Sequence, residues 1–330
     1  MKRKIIKQGH NTLTVTLPSK WVHRLHLSAG EELELVESDN GLFLSAEGKS
    51  GSGEVEIDIG GLDIPTIWKY FMAVYREGYE KVVVKFPPKM TIESPYKFFA
   101  HQKLDQKYKR ETEKVSVLEF LGQMVNRFIG FEIVDYMEDR VVIKGISEPN
   151  PKEFDNSLRR IFLLIQQMAD EVMVSLEKEN SDSLKHIHDI DVNLDKFHDY
   201  CIRTLNISQN KDTKKSSLYF SILYLLEMIG DEFKNISHHI IYDFKDFNYK
   251  NLLEMAGSVH SQINLYYSLF YGFDRDLIMK ISEIDKQRYF NLKSMNNKIK
   301  TAEEKEMFHH LRIIAKYINA LVELRIELEF

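Results

Sequence analysis

Two carboxylates in the C-terminal half of the chain have the spacing of a metal-binding or acid–base site. Glu227 and Asp231 lie four residues apart, so on a helix they project from one face, and eleven uncharged residues precede Glu227. Like charges beside apolar surface are unfavourable unless a cation offsets them. Asp189, Asp191 and Asp195, on the preceding predicted helix, could complete an oxygen-rich site for a hard cation or iron. The alternative is that these side chains only form the exposed faces of amphipathic helices, and spacing alone does not decide.

Other constellations of chemically active residues are weaker. Glu306 and His309 have the Glu-x-x-His spacing of di-iron helix bundles, but such sites use two motifs and this chain has one, so we interpret it as a chance match. Cys201 is predicted to be a packed core residue. No catalytic triad or Walker motif is present, so the chain is not expected to be an enzyme. Three histidine pairs are poor joint ligands because their members point to different helical faces: His186 and His188, His238 and His239, and His309 and His310.

The N terminus carries a second chemical signal, because it is basic in an otherwise acidic protein. Residues 1–30 contain no Asp or Glu, whereas the whole chain has a formal net charge of −5. This asymmetry indicates a surface that faces an anion, with a merely solvated run of charge as the alternative. The basic residues of this stretch are Lys2, Arg3, Lys4, Lys7, Lys20 and Arg24.

Short strands are predicted to position these cations. Residues 12–17 alternate hydroxyl and apolar side chains as a strand does, and Pro18 ends the strand. Ser19 can cap a short helix that runs through Leu25. Residues 32–37 alternate again, and a turn at 39–41 leads to a last strand at 42–45. Because so few short strands bury little apolar surface, we expect this module to dimerise and to place two basic arms side by side.

This segment resembles the AbrB/MazE/SpoVT family of swapped-hairpin DNA-binding domains over roughly residues 3–47. The glycine before the second strand, the Leu-Pro step, the helix and the closing hairpin follow in the family's order. The resemblance implies a homodimer that reads DNA with a β-surface. MazE-like members often carry an arginine shortly before the proline, where this chain has Thr16, so a module that only dimerises is the alternative. The implied DNA contacts are Arg3, Lys4, Lys7, Asn11, Lys20 and Arg24, with Asn11 on a base edge and the cations on phosphates.

A small α/β domain is predicted at residues 54–148, after a flexible linker at 49–53. It has no phosphate-binding glycine pattern and no nucleophile motif, so we interpret it as a spacer or dimerisation domain. Its predicted elements are strands at 54–59 and 81–86, helices at 65–75 and 116–128, a long polar excursion at 87–113, and a hairpin at 130–146.

From residue 152 to 330 the apolar period becomes 3.6, which predicts long helices. Two similar sets of three helices repeat with a period of somewhat over ninety residues, so the expected architecture is two antiparallel three-helix bundles side by side. In this repeat Asp285 corresponds to Asp189, and Asn319 and Glu323 correspond to Glu227 and Asp231. The predicted helices are 153–179, 182–205 and 214–242 in the first set, and 248–271, 274–299 and 301–328 in the second.

The helical half resembles the PhoU family through LLEMIGDEFKNI at 225–236 and HDIDVNLDKFHDYCIRTL at 188–205. The resemblance implies paired three-helix bundles, acidic patches that bind metal clusters, and restraint of phosphate-uptake signalling. It implies an iron, zinc or magnesium ion held by Asp189, Asn193, Glu227 and Asp231. A weaker second site would use Asp285, Asn319 and Glu323, because the Ile-Gly step of the signature is missing there.

Composition is compatible with a cytoplasmic protein of two or three domains. The chain has 330 residues, 43% of them hydrophobic, and a single cysteine that cannot form an internal disulfide. No signal peptide is recognisable, and the most apolar stretch, residues 216–226, is too short to span a bilayer, so no membrane insertion is expected.

The predicted fold is therefore multidomain α+β, with domains at 1–48, 54–148 and 152–330. The combination of the two resemblances is similar to archaeal phosphate-uptake regulators, and the leading hypothesis is a dimeric DNA-binding transcriptional regulator of phosphate uptake or phosphate homeostasis. Two alternatives remain. The first is a signalling adaptor for a phosphate transporter ATPase or a sensor kinase, with an N-terminal module that only dimerises. The second is a metal-carboxylate enzyme, which would need a complete and partly buried ligand set.

Overall fold

The computed structural model describes residues 2–38, 41–45, 53–94, 113–147, 150–207, 213–243 and 248–330. The chain divides into two compact units, residues 1–52 and residues 53–330. The predicted linker at 49–53 and the middle of the predicted excursion, residues 95–112, lie almost wholly outside the described residues.

The N-terminal unit consists of two antiparallel strand pairs and one short helix. Strands β1 (Ile6–Gln8) and β2 (Thr12–Thr14) pair with Ile6 opposite Thr14, and Gly9 turns the chain between them with a φ of 74°. Helix α1 (Ser19–Arg24) follows Pro18, and strands β3 (Glu34–Ser38) and β4 (Gly41–Ser45) form a hairpin. The strand predicted at 12–17 is shorter than expected, because regular pairing with β1 ends at Thr14.

No residue between 2 and 33 is buried. Several apolar side chains of the N-terminal unit are open to solvent, with exposed fractions of 70% for Ile5, 68% for Leu13 and 67% for Leu42. The described side chains of a single copy of this unit thus form no hydrophobic core, as expected for a module of this size.

The second unit begins with a four-stranded sheet, in the order β5–β6–β10–β9. Strands β5 (Glu54–Asp58) and β6 (Lys81–Lys85) are parallel and are connected by helix α2 (Ile64–Glu77). Strands β9 (Phe131–Tyr136) and β10 (Arg140–Gly145) form the predicted hairpin, and β10 pairs antiparallel with β6. A separate pair, β7 (Thr91–Ser94) and β8 (Glu113–Ser116), precedes helix α3 (Val117–Val125).

Hydrogen bonds and backbone conformation fix both ends of α2, the helix that carries Arg76 in its last turn. The carboxylate of Asp63 accepts a hydrogen bond from the backbone N–H of Thr66 at 2.9 Å, and Pro65 occupies the first turn. Gly78 ends the helix in the left-handed region with a φ of 96°. The buried face of α2, which includes Ile67 and Phe71, packs in one hydrophobic core with the strands of the sheet.

Six long helices form the rest of the second unit, and their predicted number and order are confirmed. A 3₁₀ turn, Ser183–His186, precedes α5, and α6 continues as a π-helical turn, His239–Asp243. The helices are α4 (Pro151–Lys178), α5 (Ile187–Ile207), α6 (Thr213–His238), α7 (Leu253–Tyr271), α8 (Arg275–Lys298) and α9 (Ala302–Glu327).

The two helical sets share one hydrophobic core. Helices α4, α5 and α6 pack on one another, α7 packs on α8 and α9, and the sets join where α4 meets α7 and α6 meets α9. Cys201 is fully buried in this core, as predicted. Among the described residues, no helix is both long and apolar enough to cross a membrane.

Candidate functional site

Five carboxylates from α5 and α6 come together in the first set of helices. We call Asp191, Asp195, Asp199, Glu227 and Asp231 the acidic cluster. The three α5 members are spaced by four residues and therefore form one stripe on that helix. Asp191 and Asp199 are buried, with exposed fractions of 3% and 0%. So much buried negative charge requires cations close by.

One of these cations comes from the same helical set. The Nζ atom of Lys234 lies 3.0 Å from Oδ2 of Asp191 and also pairs with the carboxylate of Asp231. Lys234 therefore joins α5 to α6 through two ion pairs.

The other two cations come from the α/β part of the second unit, which comprises the elements from β5 to β10. Arg76, in the last turn of α2, donates from Nε to Oδ1 of Asp199 at 2.7 Å and from Nη1 to the hydroxyl of Tyr224 at 3.0 Å. Arg127, just after α3, donates from Nη2 to Oδ2 of Asp195 at 2.6 Å. These two contacts tie the α/β part to the helices through charge-assisted hydrogen bonds.

A reciprocal contact runs from α5 back to α2. The last carbonyls of a helix have no partner within the helix. Arg203 donates from Nη1 to the carbonyl of Tyr75 at 2.7 Å and from Nη2 to the carbonyl of Tyr79 at 3.1 Å. The side-chain amide of Asn206 donates to the carbonyl of Arg76 at 2.8 Å. The C-terminal end of α2, and with it Arg76, is thus fixed against α5.

The environment shifts the pKa values within the acidic cluster in opposite directions. Burial, together with the charges of Asp231 and Asp195, raises the pKa of Glu227 to about 7. Burial and the charge of Asp195 likewise raise the pKa of Asp191 to about 7. For Asp199, burial acts upward, but His198, Arg76 and Arg127 outweigh it and hold the pKa below its ordinary value. Because five carboxylates face three cations, the cluster retains protons near neutral pH.

The predicted metal ligands of the first bundle are divided between two faces. Glu227 and Asp231 belong to the acidic cluster, whereas Asp189 and Asn193 are exposed, and the amide of Asn193 donates to the carbonyl of Asp189 at 2.8 Å. The ammonium of Lys234 already pairs with Asp191 and Asp231, so a metal cluster on these carboxylates would have to displace it. Metal binding there stays a prediction.

The predicted ligands of the second bundle are also separate. Oδ1 of Asp285 accepts hydrogen bonds from Nη1 of Arg288 at 2.8 Å and from the amide of Gln262 at 2.9 Å. Asn319 and Glu323 are exposed on α9. A guanidinium group therefore balances Asp285, as Lys234 balances Asp191 in the first bundle.

All six predicted DNA-contact residues are exposed. They surround β1 and α1: two precede β1, one lies in it, one lies in the following turn and two lie on α1. In chain order they are Arg3, Lys4, Lys7, Asn11, Lys20 and Arg24.

Sequence reasoning missed Arg76 and Arg127. Both lie in the segment interpreted as a spacer or dimerisation domain, where no side chain was expected to take part in the site. A single arginine near the end of an amphipathic helix carries no distinctive signal. The signal that could have indicated them is the surplus of carboxylates on α5 and α6, because buried carboxylates require cations and those cations can come from another part of the chain.

Comparison with known families agrees with this two-part arrangement. Residues 6–51 match the family described as antidote-toxin recognition MazE, bacterial antitoxin, and residues 158–240 match the PhoU domain. The PhoU match contains every member of the acidic cluster. Searches of curated proteins and of solved structures gave no match. The chain therefore joins an N-terminal domain of the MazE/AbrB type to a C-terminal PhoU domain.

Proposed function

We propose that the protein is a homodimeric DNA-binding transcriptional regulator of phosphate uptake or phosphate homeostasis. The observation that supports this most strongly is the acid-free N-terminal segment with its exposed cations, matched to a MazE-type domain, on the same chain as a PhoU domain.

The charges of the N-terminal unit are arranged for a polyanion. The basic side chains between residues 2 and 24 are exposed, and residues 1–30 supply no carboxylate to neutralise them; the acidic residues of this unit begin at Glu31. Lysine and arginine contacts to phosphates provide a large share of DNA affinity by releasing condensed counterions. A β-surface can enter the major groove of DNA as a two-stranded ribbon.

The partner that covers the apolar side of the N-terminal unit is a second copy of this chain. Ile5, Leu13 and Leu42 are each at least two-thirds exposed, and nothing between residues 2 and 33 is buried. Pairing two copies removes such surface from water, which is the main favourable term in association. It also doubles the number of cations available to one DNA site.

The acidic cluster provides the switch in this proposal. Arg76 and Arg127 hold the α/β part through Asp199 and Asp195. Two neighbouring members of the acidic cluster, Asp191 and Glu227, have pKa values raised to about 7, so the total charge of the cluster varies near neutral pH. Any ligand or partner that changes this charge changes how firmly the α/β part is held. For regulation, the ligand must bind the two arrangements with different affinity. Free phosphate is not expected to bind the cluster directly, because like charges repel.

The test is DNA binding by the full chain across a salt series, measured by fluorescence anisotropy. The variant R3A/K4A/K7A removes three cations of the N-terminal unit. Its matched control, K280A/K293A/K316A, removes three exposed lysines from α8 and α9. Each lost phosphate contact reduces the slope of log K against log salt by about 1. We expect a shallower slope for the first variant and an unchanged slope for the control. Equal slopes would contradict the proposal.

The second candidate is a signalling adaptor that docks on a phosphate transporter ATPase or a sensor kinase. The exposed apolar side chains of the N-terminal unit favour it, since they support dimerisation without any DNA. Under this function, the R3A/K4A/K7A variant would remain dimeric and the parent protein would bind DNA no better than the variant does.

A further inference from the structure

A group of histidines and glutamates lies where α6 meets α9, on different residues from the acidic cluster. We propose that His239, Glu306 and His310 bind one divalent transition-metal ion, with Glu232 orienting His310. Ligand atoms of the three proposed ligands all lie within 4.8 Å of one another. Their side chains come from two helices that belong to different helical sets.

His310 has the hydrogen bonding of a metal ligand. Its Nδ1 atom lies 2.5 Å from Oε2 of Glu232, so a hydrogen on Nδ1 is donated to that carboxylate and the lone pair remains on Nε2. Histidines that bind metals almost always donate their other ring N–H to a carboxylate, a carbonyl or water. The orientation of the ring is therefore already fixed.

The free nitrogen of His310 is buried. The residue is 8% exposed, and Nε2 has no hydrogen-bond partner among the described residues. A buried polar atom without a partner is unfavourable, by about 1–3 kcal/mol. The carboxylate of Glu306 lies 3.8 Å from this nitrogen, too far for a hydrogen bond. A metal ion between the two would satisfy both groups.

His239 completes the ligand set from the other helix. Its ring centroid lies 5.4 Å from that of His310, with 31° between the planes. His239 is also the first residue of the π-helical turn that ends α6. Such turns are rare and frequently occur at functional sites, since they change which side chains face a neighbouring element.

The donor atoms identify the class of metal. Two imidazole nitrogens and one carboxylate oxygen are a known zinc ligand set, with water as the fourth ligand, and they also suit ferrous iron. Calcium and magnesium prefer oxygen ligands alone. Tetrahedral zinc at about 2.0–2.1 Å from each ligand would place the donor atoms roughly 3.4 Å apart. The half-exposed Glu306 is the ligand that can move to close this distance.

The consequence is a metal-dependent clamp between the two helical sets. Glu232 and His239 belong to the PhoU-matched segment, whereas Glu306 and His310 lie outside it. A metal ion that binds the folded protein but not the unfolded chain would raise the apparent stability by mass action. The clamp does not depend on the DNA-binding function proposed above.

The experiment is titration of the chelator-treated full chain with Co²⁺, read by visible absorption, and with Zn²⁺, read by calorimetry. We expect one equivalent of metal and the absorption bands of a tetrahedral or five-coordinate cobalt site. Glu306→Gln and His239→Gln should each weaken binding by at least tenfold, and Glu232→Gln by about 10–100-fold. His309→Gln is the matched control, because His309 is adjacent to His310 but exposed, and it should bind as the parent does.

Thermal unfolding gives a second measurement on the same proteins. Zn²⁺ should raise the unfolding temperature of the parent and of His309→Gln but not that of Glu306→Gln. Because the Glu306 side chain is half-exposed, this substitution should leave the fold intact even if a change at His310 does not. Parent-like binding by Glu306→Gln and His239→Gln, or no binding by the parent, would overturn the proposal.

Discussion

Replacing Arg76 with methionine tests how the α/β part is held to the helices. Arg76 contacts Oδ1 of Asp199 at 2.7 Å through Nε and at 2.6 Å through Nη2. The Asp199 side chain is 1% exposed and the Arg76 side chain 20% exposed, so the pair is buried rather than superficial. Methionine keeps most of the apolar stem of Arg76 and removes only the charge and the hydrogen bonds.

The expected loss of folding free energy depends on how well the remaining partner, Asp199, is still compensated. Removing one member of a buried ion pair leaves an uncompensated charge and destabilises a protein by about 3–5 kcal/mol. Exposed pairs contribute about 0–1 kcal/mol. Asp199 keeps Arg127, whose Nε lies 3.9 Å from Oδ2, so the loss should fall near the lower limit, about 3 kcal/mol.

Urea unfolding followed by Trp68 fluorescence measures this change. Trp68 lies in the α/β part, where the guanidinium of Arg127 is 4.6 Å from its ring centroid, and replacing Trp21 with phenylalanine removes the other tryptophan. The matched control, Arg312→Met, changes an exposed arginine on α9 and should have little effect.

A double-mutant cycle assigns the loss to the ion pair. In a protein that already carries Asp199→Asn, replacing Arg76 should destabilise far less, because no buried charge is left without a partner. A loss below about 1 kcal/mol for Arg76→Met, or equal losses in both backgrounds, would refute the reasoning.

Four further predictions concern other parts of the chain. Burial and the nearby carboxylates raise the pKa of Glu227 to about 7, so between pH 8 and 5.5 the folded protein takes up a proton that the unfolded chain does not hold. The free energy of unfolding should therefore rise as pH falls from 8 to 5.5. Urea midpoints at both pH values should show a smaller rise for Glu227→Gln than for the parent. Gly230→Ala should destabilise by about 1–3 kcal/mol, because its Cβ would meet Cδ1 of the buried Leu194 at 2.8 Å; unchanged thermal unfolding would contradict this. Leu13→Lys should shift the protein from dimer toward monomer in light scattering, since it places charge on the exposed apolar surface through which the proposed dimer would form. Arg288→Met should lower the free energy of unfolding in urea by about 2–4 kcal/mol. The reason is that Ser258 and the buried Gln262 lose their hydrogen bonds to the guanidinium of Arg288.

The helices could be predicted from the sequence because their signal is local. The 3.6-residue apolar period and a few capping residues place all six long helices, and Thr301 with Glu304 forms the capping box that starts α9. The strands of the N-terminal unit and of the four-stranded sheet are also predicted correctly, although regular pairing ends β2 after Thr14. The β7–β8 pair is not predicted, because β7 lies within the stretch interpreted as a polar excursion at 87–113 and β8 begins at its end. The shared core of the two helical sets was not predicted, since a helix pattern shows which face is apolar but not which helix covers it.

The candidate sites were only partly predictable because their partners are distant in sequence. Glu227 and Asp231 were found from their spacing, but Arg76 is 123 residues away from Asp199. Within a single helix adjacent histidines point to different faces, so the sequence alone predicts no joint ligand set for the histidine pairs. His310 instead meets Glu232, 78 residues away, on a neighbouring helix. Spacing within one element cannot reveal a site that two elements build together.

Binding to the DNA upstream of the protein's own gene, compared with scrambled DNA of the same length and composition, tests the central claim most directly. Fluorescence anisotropy with the full chain, repeated at several salt concentrations, separates sequence preference from general attraction to phosphates. We predict tighter binding to the native fragment and a log-linear loss of affinity with salt. Equal affinity for both fragments, or no binding, would contradict a DNA-reading regulator and leave an N-terminal module that only dimerises.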